Sequence, residues 1–110
     1  MKVVLFGAGE IGRRILEKST YDVMAVIDNN PEIQGTQIYG KPVIELDQYK
    51  NSYCQYKIII SACKTDEIAQ QLYMNGIFDF SVAPEIYEDA DVARDEKIAH
   101  GNWIDYLVEL

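Results

Sequence analysis

The 110-residue chain predicts an α/β fold, a three-layer domain around a mostly parallel sheet of four to five strands. Three observations carry that expectation. The chain opens on Lys2-Val-Val-Leu-Phe6, an apolar run without alternation, which is the pattern of a strand covered on both faces. That run breaks into Gly7-Ala8-Gly9-Glu10-Ile11-Gly12 and then into apolar residues at helical spacing, Ile11, Ile15 and Leu16. Strand-like and helix-like segments then alternate to about residue 83, which implies βαβ units and layers of helices on a sheet.

The first helix is expected from Glu10 to Lys18, with Lys18 at its negative end. Tyr21 to Asp28 reads as the second strand, so residues 2 to 28 form one right-handed βαβ unit. Asp28-Asn29-Asn30-Pro31 must turn, because Asn tolerates unusual backbone angles and Pro31 disfavours helix at Asn30. Gly35, Gly40 and Pro42 interrupt the region that follows. A short extended piece near Thr36 to Tyr39 and a short helix within Glu45 to Lys50 are expected there. Lys57 to Ala62 is a third central strand. A helix capped by Thr65 and stopped by Gly76 follows, with Ile68, Ala69, Leu72 and Tyr73 on one face. Ile77 to Ala83 is a fourth parallel strand. The domain is drawn at 2–83, and residues 84–110 form an acidic, helical C-terminal extension in which Trp103, Ile104, Leu107 and Val108 recur at helical spacing. That stripe suits packing on the parent sheet, a homodimer surface, or docking of a missing catalytic domain.

Gly-x-Gly-x-x-Gly between a strand and a helix is the form that holds the diphosphate of a dinucleotide. Gly7 permits the tight turn, Gly9 lets backbone approach the phosphates, and Gly12 lets helix and strand pack closely. The unpaired N–H groups of the helix start favour an anion. Asp28 ends the second strand about 20 residues on, where a carboxylate accepts from ribose hydroxyls. Asn29 and Asn30 follow it instead of an arginine, which favours NAD over NADP. The expected cofactor-binding set is Gly7, Ala8, Gly9, Glu10, Ile11, Gly12, Arg13, Asp28, Asn29, Ser61 and Ala62. Ser61 and Ala62 join by their place at the carboxyl end of a central strand. Glu10 is alternatively a dipole partner, and Arg13 or Arg14 a surface partner of Glu10 or Glu17.

Composition narrows the function classes. The net charge of −8 divides into −2 over residues 1–83 and −6 over residues 84–110. No basic stripe is present, so nucleic acid is not expected as a partner. Cys54, Cys63 and the single His100 have no metal-ligand spacing, so no metal site is expected. Tyr53 and Lys57 match Tyr-x-x-x-Lys, but Lys57 begins a strand and the pair lacks a common helical face. No catalytic set of acid, base and nucleophile is read. No run of about 18 apolar residues occurs, so a cytoplasmic location is expected, on its own or as the cytoplasmic portion of a membrane-associated protein.

The order Val4 to Gly12, Val26 to Pro31, Ile38 to Ile44, Ile58 to Ala62 and Ile68 to Ile77 resembles the small Rossmann-type modules of bacterial polysaccharide biosynthesis proteins. Those include the N-terminal portion of nucleotide-sugar 4,6-dehydratases of capsule assembly, sugar acyltransferases and sugar methyltransferases. More distantly it is similar to CoA-binding and redox-sensing NAD-binding domains. The resemblance implies binding of NAD or a nucleotide-sugar at Gly7 to Gly12 and Asp28, in a module that carries no chemistry alone. The two rival readings are the cofactor-binding half of a dehydratase or epimerase, and a degenerate Rossmann scaffold for oligomerisation.

Overall fold

The computed structural model describes residues 1–18 and 21–84. The expected extension, with Trp103 and His100, lies beyond Pro84 and so outside the described residues.

Six strands form one sheet: β1 (Lys2–Phe6), β2 (Asp22–Ile27), β3 (Gln37–Ile38), β4 (Lys41–Ile44), β5 (Lys57–Ile60) and β6 (Phe80–Val82). Their spatial order is β3-β4-β2-β1-β5-β6, and every pairing is parallel except β3 with β4. The α/β class and the mostly parallel sheet are as expected. The strand count is higher because Tyr39 and Gly40, at φ 50° and 78°, close a two-residue hairpin between β3 and β4.

Helix α1 (Glu10–Lys18) matches its expected bounds and buries Ile11, Gly12 and Ile15. It covers one face of the sheet, meeting Val3, Leu5, Val23, Val26 and Ile59. On the other face a short helix, α2 (Leu46–Gln48), runs on as a π-helical segment Tyr49–Tyr53, and α3 (Thr65–Met74) lies beside it. Val4, Phe6, Ala25, Ile27, Ile58 and Ile60 point to that side. Burial on both faces explains why β1 lacks alternation: Val3 to Phe6 are all at most 1% exposed.

Several expectations need local correction. The register shifts between Val3 and Val4 against β2, so Met24 and Ala25 fall on the same face, a bulge no periodicity announced. The last strand is shorter than Ile77 to Ala83, because the chain from Gly76 to Asp79 is still leaving α3. Gly76, at φ 74°, does stop that helix: its N–H bonds the Tyr73 carbonyl and the Ile77 N–H bonds that of Leu72, a Schellman closure. Thr65 does not cap it. Lys64 holds the cap position, while the buried Thr65 hydroxyl donates to the carbonyls of Ala62 (3.2 Å) and Cys63 (3.4 Å), bracing the loop after β5.

Candidate functional site

Strand order reverses at β1, whose sequence-adjacent neighbour β2 lies on one side and β5 on the other. Beyond the carboxyl ends of such strands an open α/β sheet leaves a crevice. Here it is a cleft of about 400 Å³ lined by Phe6, Gly7, Asp28, Asn29, Ala62, Cys63, Lys64, Glu67, Ile68 and Gln71. Its floor is the ends of β1 and β5, one wall the end of β2, and the other wall the first turns of α3.

The three glycines beside the cleft differ physically. Gly7 has φ 129°, and a Cβ there would lie 2.8 Å from the Ser61 carbonyl oxygen. At Gly12 a Cβ would lie 2.2 Å from the Gly7 carbonyl oxygen, so the first turn of α1 sits directly on the glycine turn. At Gly9 a Cβ would meet nothing within 4 Å. The fold requires glycine at 7 and 12, whereas at 9 it leaves open space in front of the helix start. The Gly9 carbonyl accepts from the Arg13 N–H (3.0 Å), which makes Gly9 the cap of α1 and leaves the next amides without intrahelical acceptors.

Asp28 organises the turn. Its Oδ2 accepts from the Ala8 N–H and its Oδ1 from the Asn30 N–H, both at 2.9 Å. Asp28 is thus a turn residue that bonds its own neighbouring backbone, and Ala8 spends its N–H on it. A carboxylate has about four acceptor directions, so two remain for hydroxyl donors. Ser61, fully buried, donates from Oγ to the Gly7 carbonyl at 2.8 Å and so ties β5 to the glycine turn; Ala62, one residue on, lines the cleft.

The remaining expected residues divide. Glu10 pairs with Arg14 at 2.7 Å along α1, the surface reading of that charge. Arg13 is exposed and close enough to Tyr39 for its charge to act on that phenol, whose pKa is raised chiefly by its hydrogen bond to Glu17. Ile11 is buried against the sheet and offers only its backbone. Asn29 lines the cleft and exchanges two hydrogen bonds with Gln71, its Nδ2 donating to Oε1 (2.8 Å) and Gln71 Nε2 donating to its Oδ1 (3.1 Å).

Sequence reasoning missed the α3 wall: Lys64, Glu67, Ile68 and Gln71. Their signal was available, since offsets of three and four residues place them on one helical face. Among the described residues no group of acids, histidines and cysteines is arranged to hold a metal ion, and no helix is long and apolar enough to cross a membrane.

Residues 1–80 match the protein family described as C2185-like, N-terminal. The chain belongs to that family. It is also similar to the redox-sensing transcriptional repressor Rex of Lactobacillus gasseri, 32% identical over 85 residues, which are 73% of this chain and 40% of the repressor. The chain thus spans less than half the length of such relatives. Among solved structures it is similar to RSP in complex with β-NADH (TM-score 0.55, 22% identity, 76% of this chain, 46% of that one). A second neighbour is UDP-D-quinovosamine 4-dehydrogenase from Vibrio fischeri (TM-score 0.59, 14% identity, 76% and 77%). RSP has also been solved with β-NAD+ and operator DNA (TM-score 0.55, 15% identity, 97% and 58%). These likenesses show the Rossmann-type fold.

One expectation is overturned. Nucleic acid was set aside on composition, yet the Rex relatives are transcriptional repressors and RSP holds operator DNA. The charge balance of 110 residues reports only on this stretch, and the repressor is more than twice as long as the part matched. The polysaccharide-specific resemblance is likewise narrowed to a Rossmann-type domain with Rex-like relatives. The expected cofactor, NAD, agrees with the dinucleotides held by RSP.

Proposed function

We propose that this chain is an NAD-binding module that senses or holds the dinucleotide for a larger cytoplasmic protein and performs no chemistry alone. The amides from Gly9 to Gly12 bind the diphosphate, the free acceptor directions of Asp28 take the ribose hydroxyls, and the cleft between Asn29 and α3 receives the base. Arg13 and Lys64 supply positive charge at the two ends of the anionic ligand, and Ala62 packs beneath it. The observation that carries this reading is Gly9: neither packing nor a positive φ demands a glycine there, and a Cβ would meet only open space at the residue that starts α1.

The Rex relatives supply the context, since a repressor that senses redox state needs a dinucleotide domain coupled to a DNA-binding one. A nucleotide-sugar enzyme is the second reading, favoured by the Vibrio fischeri dehydrogenase, of which the chain covers 77%.

The test is calorimetric titration of the full chain with NAD+, NADH, NADP+ and UDP-glucose, repeated on Gly9→Asp. Aspartate is a favoured helix cap and has room, so the variant should be at least as stable as the parent. It should nevertheless lose at least about tenfold in NAD affinity, because a carboxylate then occupies the diphosphate position. Undiminished binding by Gly9→Asp, or no NAD binding by the parent, overturns the reading.

A further inference from the structure

Diphosphate at Gly9 and ribose at Asp28 leave one place for the base, because a nucleoside continues from its ribose away from the phosphates. That place is the outer half of the cleft, where Asn29 stands on one wall and Glu67 and Gln71 on the other. Glu67 and Gln71 are four residues apart on α3 and share a face. The two amides facing each other across the opening satisfy one another with a reciprocal pair of hydrogen bonds, 2.8 and 3.1 Å long, between residues 42 positions apart.

From this geometry we infer that the Asn29–Gln71 pair is a placeholder for an adenine base, that Gln71 holds the edge of that base, and that Glu67 selects adenine by its exocyclic amine. The inference rests on the dinucleotide reading above and names the class of base. An amide offers one donor and one acceptor side by side, which matches the amine and adjacent ring nitrogen of adenine. When the base enters, the Gln71 amide exchanges Asn29 for that edge, and the exposed Asn29 amide is left to water. An amide alone also matches a carbonyl beside a ring N–H, as in hypoxanthine or uracil. Glu67 removes that ambiguity, because an ionised carboxylate only accepts. It attracts an amine and repels a carbonyl oxygen placed in the same position. Ile68, buried one residue further along α3, supplies apolar surface at the same wall.

The experiment measures dissociation constants of the full chain for NAD+, for nicotinamide hypoxanthine dinucleotide and for UDP-glucose, with Glu67→Gln and Gln71→Ala alongside. The hypoxanthine analogue differs only in having a carbonyl in place of the amine and a proton on the adjacent nitrogen. The expected result is a preference for NAD+ over the analogue of roughly tenfold, falling toward unity in Glu67→Gln, whereas Gln71→Ala weakens both dinucleotides and keeps the preference. Glu67 is exposed and Gln71 half-buried at the rim, so both variants keep the fold, and a ratio of affinities is insensitive to small stability changes. Equal binding of the two dinucleotides by the parent, tighter binding of UDP-glucose, or a preference that persists in Glu67→Gln overturns the inference while leaving a nucleotide site in place. Failure of every ligand to bind overturns the site itself and this inference with it.

Discussion

The sheet carries a cleft at each end, and the two are nearly equal in size. The cleft at the carboxyl ends of the strands encloses about 400 Å³, and a groove at the opposite end, among Tyr49, Lys50, Cys54, Gln55, Tyr56, Ile77, Phe78 and Asp79, about 370 Å³. Volume therefore does not distinguish them, but backbone polarity does. The upper cleft collects the start of α3 and lies beside that of α1, where amides point outward and the dipole favours an anion. The lower groove collects the close of α3 at Gly76 and the end of the π-helical segment, where carbonyls are already spent in the Schellman closure and in the Tyr49–Tyr56 contact. Aromatic groups fill much of that end, including the Tyr73–Phe78 edge-to-face pair at 5.1 Å. A strand sheet with crossover helices places helix starts at one end only, so the asymmetry follows from the topology.

Substitutions separate the two ends. The largest effect is expected from Gly12→Ala, whose Cβ would fall 2.2 Å from a backbone oxygen that cannot retreat without moving the glycine turn. A loss of about 3 kcal/mol is expected in denaturant unfolding. A fully stable Gly12→Ala protein would show that the turn is not packed as described.

Each cleft also holds one exposed free cysteine, Cys63 above and Cys54 below, which makes a direct comparison possible. At about 100 times its dissociation constant NAD leaves roughly 1% of the protein free. Alkylation of Cys63, followed by mass spectrometry, should slow by up to that factor while Cys54 reacts at an unchanged rate. Protection of Cys54 instead would move the site to the other end of the sheet.

Smaller effects come from single hydrogen bonds. Ser61→Ala leaves the Gly7 carbonyl without its buried donor and should cost about 1–3 kcal/mol, with a weaker grip on the diphosphate because the turn loses its tie to β5. At the lower end Tyr49→Phe removes the 2.7 Å bond to the Tyr56 carbonyl and should cost about 1 kcal/mol at neutral pH without altering NAD affinity. The Tyr49 hydroxyl titrates above its usual 10.0, first because burial disfavours the phenolate and then because Cys54 and Asp79 add negative charge. A folded-state pKa raised above the unfolded one supplies stability below pH 10 that is lost as pH rises through the folded value. Thermal unfolding should therefore show the gap between parent and Tyr49→Phe narrowing above pH 10, and a constant gap would contradict the assignment.

The halves of the candidate site differed in legibility for the same reason. Gly7, Gly9, Gly12 and Asp28 were readable because each is marked by its immediate neighbours: the break after an apolar run, the start of a helical pattern and the end of the next apolar run. The α3 wall was not read, although Glu67 and Gln71 showed helical spacing, because nothing in a linear pattern says which turn of a helix overhangs a strand end 40 residues earlier. Thr65 misled for a related cause. Its type and position suit a helix cap, but burial turned its hydroxyl back toward Ala62 and Cys63. Glu10 lies within the motif in sequence, yet its carboxylate pairs with Arg14 one turn along α1.

By itself the sequence determined the class of the fold, the extents of β1 and α1, and the glycine turn, because apolar periodicity and backbone freedom are encoded within one or two turns of chain. Tertiary structure alone decided the bulge beside Val4, the hairpin that brings the sheet to six strands, and the pairing of Asn29 with Gln71. Each of those depends on which surfaces meet across the sheet, a matter of register and packing between segments distant in the chain.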